Sequence, residues 1–358
     1  MPAAILLLML AANTAGQDMP GVAVETLLPV AALPAHIAGG FQDLTACQQT
    51  PAGEYFVFDR RAHSVYTVGP KRESARKLIE IGTEPGRVLD PTAFRLAPDG
   101  TFAVADAPRG TPRIQIFTTS GSSLGGFFLQ TRAVPRITLK NLVLNGIAAI
   151  EYTGQSIFLS QPETGAVITE YGVDGRSVRT FGELRRTGHE ADPDVHLALN
   201  SGVVVLNPSG GFYFVFLAGV PQFRKYDAAG TLLFERHIEG PELDRFVQNL
   251  PTTWSRHQTD AGLIPLVLPS VYAAAADLQG NLWVSLAVGV TYVFDASGHR
   301  RRTVAFQAAG SLTPTGLWFT RDARVLVTPG CYAFPAGMPP DAKGASPAKK
   351  RAAFGSTR

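Results

Sequence analysis

Five ionisable side chains crowd one short stretch of the chain: His189, Glu190, Asp192, Asp194 and His196. Two imidazoles and three carboxylates are the donor types that hold a hard or borderline divalent metal. His189, Asp194 and His196 form the candidate metal set. Their spacing matches no established metal motif, and the plainer reading is solvated loop polarity with no cofactor. A second group, Trp254, Arg256 and His257, sets an indole beside a guanidinium and an imidazole. That combination suits an anionic or planar ligand, while the plainer reading of Trp254 is an anchor of the lid against the blades. Arg60 and Arg61 follow Asp59, and Arg109 follows Asp106, at equivalent places in two similar segments. Arg60 and Arg109 join the candidate ligand-binding set. Asp106 is expected to satisfy loop N–H groups and to pair with Arg113. The chain has no GxSxG, HExxH, P-loop or paired-cysteine zinc pattern, so no catalytic residue is assigned.

These groups must be positioned by a scaffold, and the scaffold shows as an internal repeat. APDGTFAVAD at 97–106 is a turn followed by alternating apolar residues; RIQIF and a second turn at Ser120-Gly121 come after it. The pattern recurs at 51–68, 152–175, 207–230, 277–298 and, in degenerate form, 321–337. Aligned turn positions are Gly53, Gly100, Gly154, Gly210, Gly280 and Ala323. Four residues on stand Val57, Val104, Phe158, Phe214, Val284 and Val327, all apolar. Glycine suits a turn that demands positive φ, and the period of two predicts half-buried strands. A short apolar run precedes each turn, as in TAFRLA (92–97), GIAAIE (146–151), GVVVLN (202–207), VYAAAAD (271–277) and GLWFT (316–320). A fourth strand follows, as in LGGFFL, SVRTF and RTVAF. Four strands in each of six units predict an all-β, six-bladed β-propeller spanning residues 20–336. The sixth unit ends at Phe334 without an outer strand. The spare strand VAVETLLP at 22–29 is expected to close the ring by completing blade six, which removes an exposed edge.

The second unit resembles an NHL repeat through Pro91, Asp99, Gly100, Val104, Asp106, Arg113, Ile114, Phe117 and Gly121, with GTEPGRVLDP as the inter-blade turn. The other units match in skeleton: Asp59 occupies the Asp106 position, whereas Ser160, Phe216 and Leu286 depart from it. The resemblance covers roughly residues 36–335 and implies a six-bladed propeller. Relatives on this fold include amidating lyases, receptor sensor domains and RNA-binding modules, so it does not fix a function. The zinc-dependent lyases among them imply several His spread across blades; none of the seven His here sits in such a motif.

Two connections are too long for simple blade junctions: 183–202 between blades three and four, and 240–270 between blades four and five. Both should emerge on the face carrying the mouth of the central channel. The second contains PELDRFVQNL, with Leu243, Phe246, Val247 and Leu250 at helical spacing, and is expected to form a lid. The ligand site is therefore expected at the axial mouth beneath these insertions.

Composition sets the outer bounds. The chain has 358 residues, 45% hydrophobic and 17% charged, which excludes a disordered protein. Gly 36 and Pro 26 suit many strands joined by tight turns. The net charge of +3 belongs to the terminal stretch 337–358, where five basic residues face Asp341, leaving residues 1–336 near −1. That stretch is expected to be a disordered basic tail, and nucleic acid is not an expected partner. MPAAILLLMLAANTAGQ has the apolar length and small residues of a signal peptide over 1–16, although no Lys or Arg precedes it. Export to the periplasm or outside the cell is expected, with no integral membrane segment in the mature chain. Cys47 and Cys331 can form a disulfide in such a compartment. The reading preferred here is two separately buried small residues. Together these features point to an exported, monomeric scaffold that binds a protein or small molecule. The alternative is a metal-assisted lyase or hydrolase with its site at the axial mouth.

Overall fold

The computed structural model describes residues 23–337 apart from 131–134, 140–141, 146 and 260–261, and does not describe the side chains of 131–146 and 259–261. The expected signal peptide and basic tail lie outside the described residues, apart from Gly337.

Six blades of four antiparallel strands form a β-propeller, the sixth completed by a strand from the amino-terminal side. Blade one comprises Leu44–Gln49, Tyr55–Asp59, Ser64–Val68 and Ala75–Lys77, and blade two Ala93–Leu96, Phe102–Asp106, Arg113–Phe117 and Ser123–Phe128. Blade three comprises Ile150–Tyr152, Ser156–Leu159, Ala166–Gly172 and Ser177–Glu183; blade four Gly202–Leu206, Phe212–Phe216, Gln222–Tyr226 and Leu232–His237. Blade five has Val271–Ala276, Leu282–Leu286, Thr291–Phe294 and Arg300–Gln307, and blade six Gly316–Phe319, Arg324–Thr328 and Tyr332–Pro335. The expected inner runs and turn positions coincide with these strands. Gly100 sits at φ 89° in its hairpin turn; Ala323, the one non-glycine at this position, adopts φ 56°, a strained value for a residue with a Cβ.

The second strands depart from the half-buried expectation. Tyr55–Asp59, Phe102–Asp106, Phe212–Phe216 and Leu282–Leu286 are buried at every residue. The reason is the radial packing. Phe102 and Val104 join a cluster with Phe56 and Phe58 of blade one, while Ala103 and Ala105 join one with Ile157 and Leu159 of blade three. The period of two thus sorts side chains between two neighbours instead of between core and water. Six such clusters, each shared by adjacent blades, make the core a ring.

The ring is closed from the amino-terminal side, with one change of register. Val24–Leu27 lies parallel to Arg300–Gln307 and so extends blade five, with Arg302 gripping Glu25. Ala31–Ala32 pairs with Tyr332–Pro335 and supplies the missing outer strand of blade six. Val24–Leu27 therefore reinforces blade five, and the next two-residue strand closes the ring.

The cysteine expectation is overturned. Cys47 of blade one and Cys331 of blade six form a disulfide with Cα atoms 5.6 Å apart. Closure brings the first and last blades side by side, an adjacency that linear spacing hides.

Asp106 does what was expected, and Asp59 at the equivalent position of blade one acts in a similar way. Asp106 accepts the Leu89 N–H (3.1 Å) and two hydrogen bonds from Arg113 (2.9 and 2.6 Å). Asp59 accepts the N–H groups of Gln42, Asp43 and Ala62. Each carboxylate fastens the chain entering a blade to the strand beside it.

Candidate site on the insertion face

Strands alternate in direction within a blade. All outer-to-inner connections and all loops between second and third strands therefore emerge on one face of the ring. Three connections there carry substantial structure. The segment between blades three and four holds a helix, α2 when α1 is the short Ala35–Ala38, spanning Pro193–Leu199. The segment between blades four and five holds α3, Pro241–Gln248, and a hairpin of Arg256–Thr259 with Gly262–Pro265. The third was not anticipated: a hairpin of Pro135–Leu139 with Leu142–Asn145 between blades two and three.

The lid helix forms where the apolar spacing placed it. Leu243 is buried, and Phe246 and Val247 pack on the cluster shared by blades four and five. Pro241 at its first turn and Glu242 and Asp244 near its amino end suit the helix start. Glu242 accepts a hydrogen bond from Tyr292 and lies 3.8 Å from Arg300, which ties α3 to blade five. Burial, with the Glu242 carboxylate beside it, holds the Tyr292 phenol well above its usual range.

The two anticipated insertions are joined into one cap. Val195, Ala198 and Leu199 of α2 bury against Ala218 and Val267, with Trp254 packed on the same cluster. His189 meets the Trp254 ring edge-on at 4.6 Å. Asp192 caps α2 through the Val195 N–H and receives a two-pronged contact from Arg256 at 2.7 and 2.6 Å. Arg256 also reaches Asp194 at 3.2 Å. The hydrogen bond from Arg256 holds the Asp192 carboxyl below its ordinary range, and the two aspartates raise Arg256 in turn. Arg256 thus acts as a strut between insertions, with its fork committed to carboxylates of the same chain.

The other anticipated residues are dispersed. His196 shares a 2.7 Å hydrogen bond with Thr187, and Asp194 turns to Arg256. Among the described residues no three His, Cys, Asp or Glu side chains are gathered to hold a metal ion, so His189, His196 and Asp194 do not form one donor set. His257 is exposed on its hairpin. Arg60 pairs with Asp43 at 2.8 Å, and Arg109 is exposed at φ 56° in the turn Pro108–Gly110. Of the candidate ligand-binding residues, only Trp254 lines the cleft that the cap creates.

That cleft has a volume of about 600 Å³ and opens between α3 and the hairpin stem. Phe246, Pro251, Trp254, Leu266 and Val288 make an apolar wall; Arg245, Asn249, Thr253 and Ser255 supply polar groups, beside the Glu242 carboxylate that is engaged by Tyr292. Arg245 forms no ion pair among the described residues and remains exposed. The sequence signal for Phe246 was its place in the apolar stripe of the helix. The stripe is wider than the buried seam, so part of it faces the cleft.

A second group escaped attention because it sits on inner strands. Arg95 of blade two pairs with Glu151 of blade three at 2.7 Å and lies over the Trp318 ring of blade six at 4.6 Å. Gln48 of blade one joins this belt by accepting the Leu96 N–H at 2.6 Å. Burial lifts the Glu151 carboxyl to about 7, with Arg95 opposing. A charge within each of the otherwise apolar runs TAFRLA and GIAAIE was the available clue.

No family model and no curated protein sequence matches the chain. Among solved structures it is similar to an inactive virginiamycin B lyase from Staphylococcus aureus with quinupristin: 10% identity, TM-score 0.48, covering 82% of this chain and 85% of that one. A gluconolactonase from Xanthomonas campestris gives 13% identity and TM-score 0.49, with 88% and 95% covered. A chain of a mitotic checkpoint complex scores as high, at 12% identity and TM-score 0.48, with 94% and 98% covered. Such unlike neighbours at this level carry no argument about activity. Among the described residues no helix is long and apolar enough to cross a membrane.

Proposed function

We propose that this protein is an exported, NHL-like β-propeller that binds a small amphipathic ligand in the cleft between α3 and the hairpin stem. The observation that carries the reading is the cleft itself. It is about 600 Å³, within the range of small-molecule sites, with aromatic walls and an unpaired guanidinium at Arg245. An apolar or planar body against Phe246 and Trp254, with an acidic group toward Arg245, fits that lining. The Cys47–Cys331 disulfide supports an oxidising compartment outside the cytoplasm.

Titration with anilinonaphthalene sulfonate, an amphipathic anion, tests the proposal. Saturable binding to the native protein is expected, with energy transfer from Trp254 that Trp254→Phe removes. Leu268→Asp, at an exposed position of the same lining, should abolish binding while the thermal midpoint stays within a few degrees. Absence of saturable binding, or binding indifferent to Leu268→Asp, would overturn the site. The alternative of a metal-assisted lyase or hydrolase is decided by metal analysis of purified protein. A stoichiometric bound metal would replace the scaffold reading.

A further inference from the structure

The cap occupies one face of the ring. The turns between inner and second strands, and between third and outer strands, gather on the opposite face. In four blades the outer strand begins there with a β-bulge. Phe117 of blade two pairs with Ser123 and Ile116 with Gly125, which leaves Leu124 outside the ladder. Val178 of blade three, Leu233 of blade four and Arg301 of blade five occupy the same extra position. A bulge leaves its extra residue unpaired, and the three aliphatic ones are 58%, 60% and 55% exposed. Arg301 shows that the bulge accepts a charged side chain, so the fold does not require an aliphatic one. Val173 in the outer turn of blade three, Leu232 at the start of the outer strand of blade four and Leu278 in the inner turn of blade five are exposed on the same face.

Scattered apolar residues are ordinary at a protein surface. These six differ in sharing one face across four consecutive blades. All are aliphatic, and none lines the cleft beneath the cap. A specific protein interface concentrates aromatic and arginine anchors in a packed centre. Separate aliphatics along an arc suit a partner that is broad and apolar just below its surface.

The carboxyl-terminal side supplies charge at the same face. Tyr332–Pro335, the third strand of blade six, runs toward it. There the Ala336 N–H donates to Ala323 O at 3.0 Å, and Arg302 donates to the Ala336 carbonyl at 3.1 Å. The sequence after Gly337 carries Lys343, Lys349, Lys350, Arg351 and Arg358 against Asp341. A basic segment is therefore tethered beside the aliphatic arc. Apolar contacts and a polybasic segment are complementary contributions that together hold a protein on anionic lipid.

We infer that the face opposite the cap docks on an anionic lipid surface, with Leu124, Val178 and Leu233 entering the interfacial layer and the basic segment drawn to the headgroups. The cleft beneath the cap then faces away from the lipid, open to water. This docking does not depend on what that cleft binds.

Co-sedimentation of the full chain with lipid vesicles tests the inference. Vesicles mixing phosphatidylglycerol with phosphatidylcholine are expected to bind the protein, and phosphatidylcholine alone to bind it about tenfold or more weakly. Salt should weaken the binding to mixed vesicles. Leu124→Ser, Val178→Ser and Leu233→Ser together should weaken it about tenfold or more, with part of the loss in each single variant. A chain ending at Gly337 should lose the preference for phosphatidylglycerol. Leu263→Ser, exposed on the hairpin of the cap, should change nothing. Equal binding to both kinds of vesicle, or to neither, overturns the inference. So does binding that survives the triple variant, which would belong to the basic segment or to the apolar stretch Pro2–Ala12 alone. An equal loss with Leu263→Ser overturns it as well. The comparison of the two vesicles with the parent protein decides the matter even where a variant does not fold.

Discussion

Cys47 and Cys331 are 284 residues apart in the chain and 5.6 Å apart between Cα atoms, joined as a disulfide. The bond spans the seam where blade six meets blade one, the place at which a ring of blades can open. Cys47, Val57 and Tyr55 of blade one share a buried cluster there with Leu326 and Ala333 of blade six.

Cross-linking so long a loop removes much chain entropy from the unfolded state, worth about 2–4 kcal/mol in typical proteins. The double variant Cys47→Ala, Cys331→Ala should therefore unfold several degrees lower than the oxidised protein, and reductant should bring the parent down to match. Two free thiols in the unreduced, unfolded protein would refute the bond outright.

Ring closure separates into two contributions. A chain starting at Pro29 loses the strand Val24–Leu27 and the Arg302–Glu25 pair but keeps Ala31–Ala32. One starting at Pro34 also loses the outer strand of blade six and the buried Leu33. We expect the second truncation to lower the thermal midpoint more than the first. Equal midpoints for both would show that Ala31–Ala32 does not hold the seam.

Asp106 and Arg113 are both almost fully buried, and the Asp106 carboxyl is raised by burial against the pull of Arg113 and the Leu89 N–H. Removing one partner of such a pair leaves the other charge uncompensated. Asp106→Ala is expected to destabilise by about 3 kcal/mol or more, measured by denaturant unfolding. The double variant Asp106→Ala, Arg113→Met should recover part of that loss; strict additivity would mean that the two groups do not interact.

Glu151 sets a pH dependence of defined sign. Its carboxyl is raised to about 7 in the folded chain from the 4.5 of a solvated glutamate, chiefly through burial. The folded state therefore holds the proton more tightly than the unfolded one. Its contribution to stability is complete below pH about 4.5 and declines as pH rises to about 7, where the folded group ionises. Thermal midpoints measured across this window should show that decline superimposed on other titrations, and Glu151→Gln should flatten it. A variant with the same slope as the parent would assign the dependence to another group.

The Arg256 strut gives the last expectation. Arg256→Ala breaks its contacts with both Asp192 and Asp194 at the exposed rim of the cap. Pairs this accessible contribute little to global stability, on the order of 1 kcal/mol at most. The thermal midpoint should barely move, while amide exchange in α2 and the hairpin Arg256–Pro265 should quicken. Unchanged exchange would show that the cap is held by the Trp254 cluster alone.

How much of this was legible in the residues follows from the range of the forces involved. Turn geometry and strand alternation are local. Gly100 and its counterparts, the apolar residue four positions on and the apolar inner runs therefore marked six blades and nearly all their strands. The stripe Leu243, Phe246, Val247 marked α3 for the same reason, and the long connections marked the face that carries the cap. Contacts across the ring were decided only by tertiary structure. Closure set Cys331 against Cys47, put Val24–Leu27 on blade five instead of blade six, and placed Arg95 between Glu151 and Trp318. The roles of Arg256, Asp194 and His196 likewise depended on how two distant insertions meet. A carboxylate that looks like a metal ligand in one loop becomes the partner of an arginine 62 residues away. Such pairings arise from the closed geometry of the ring, in which neighbours in space carry no fixed spacing in the chain.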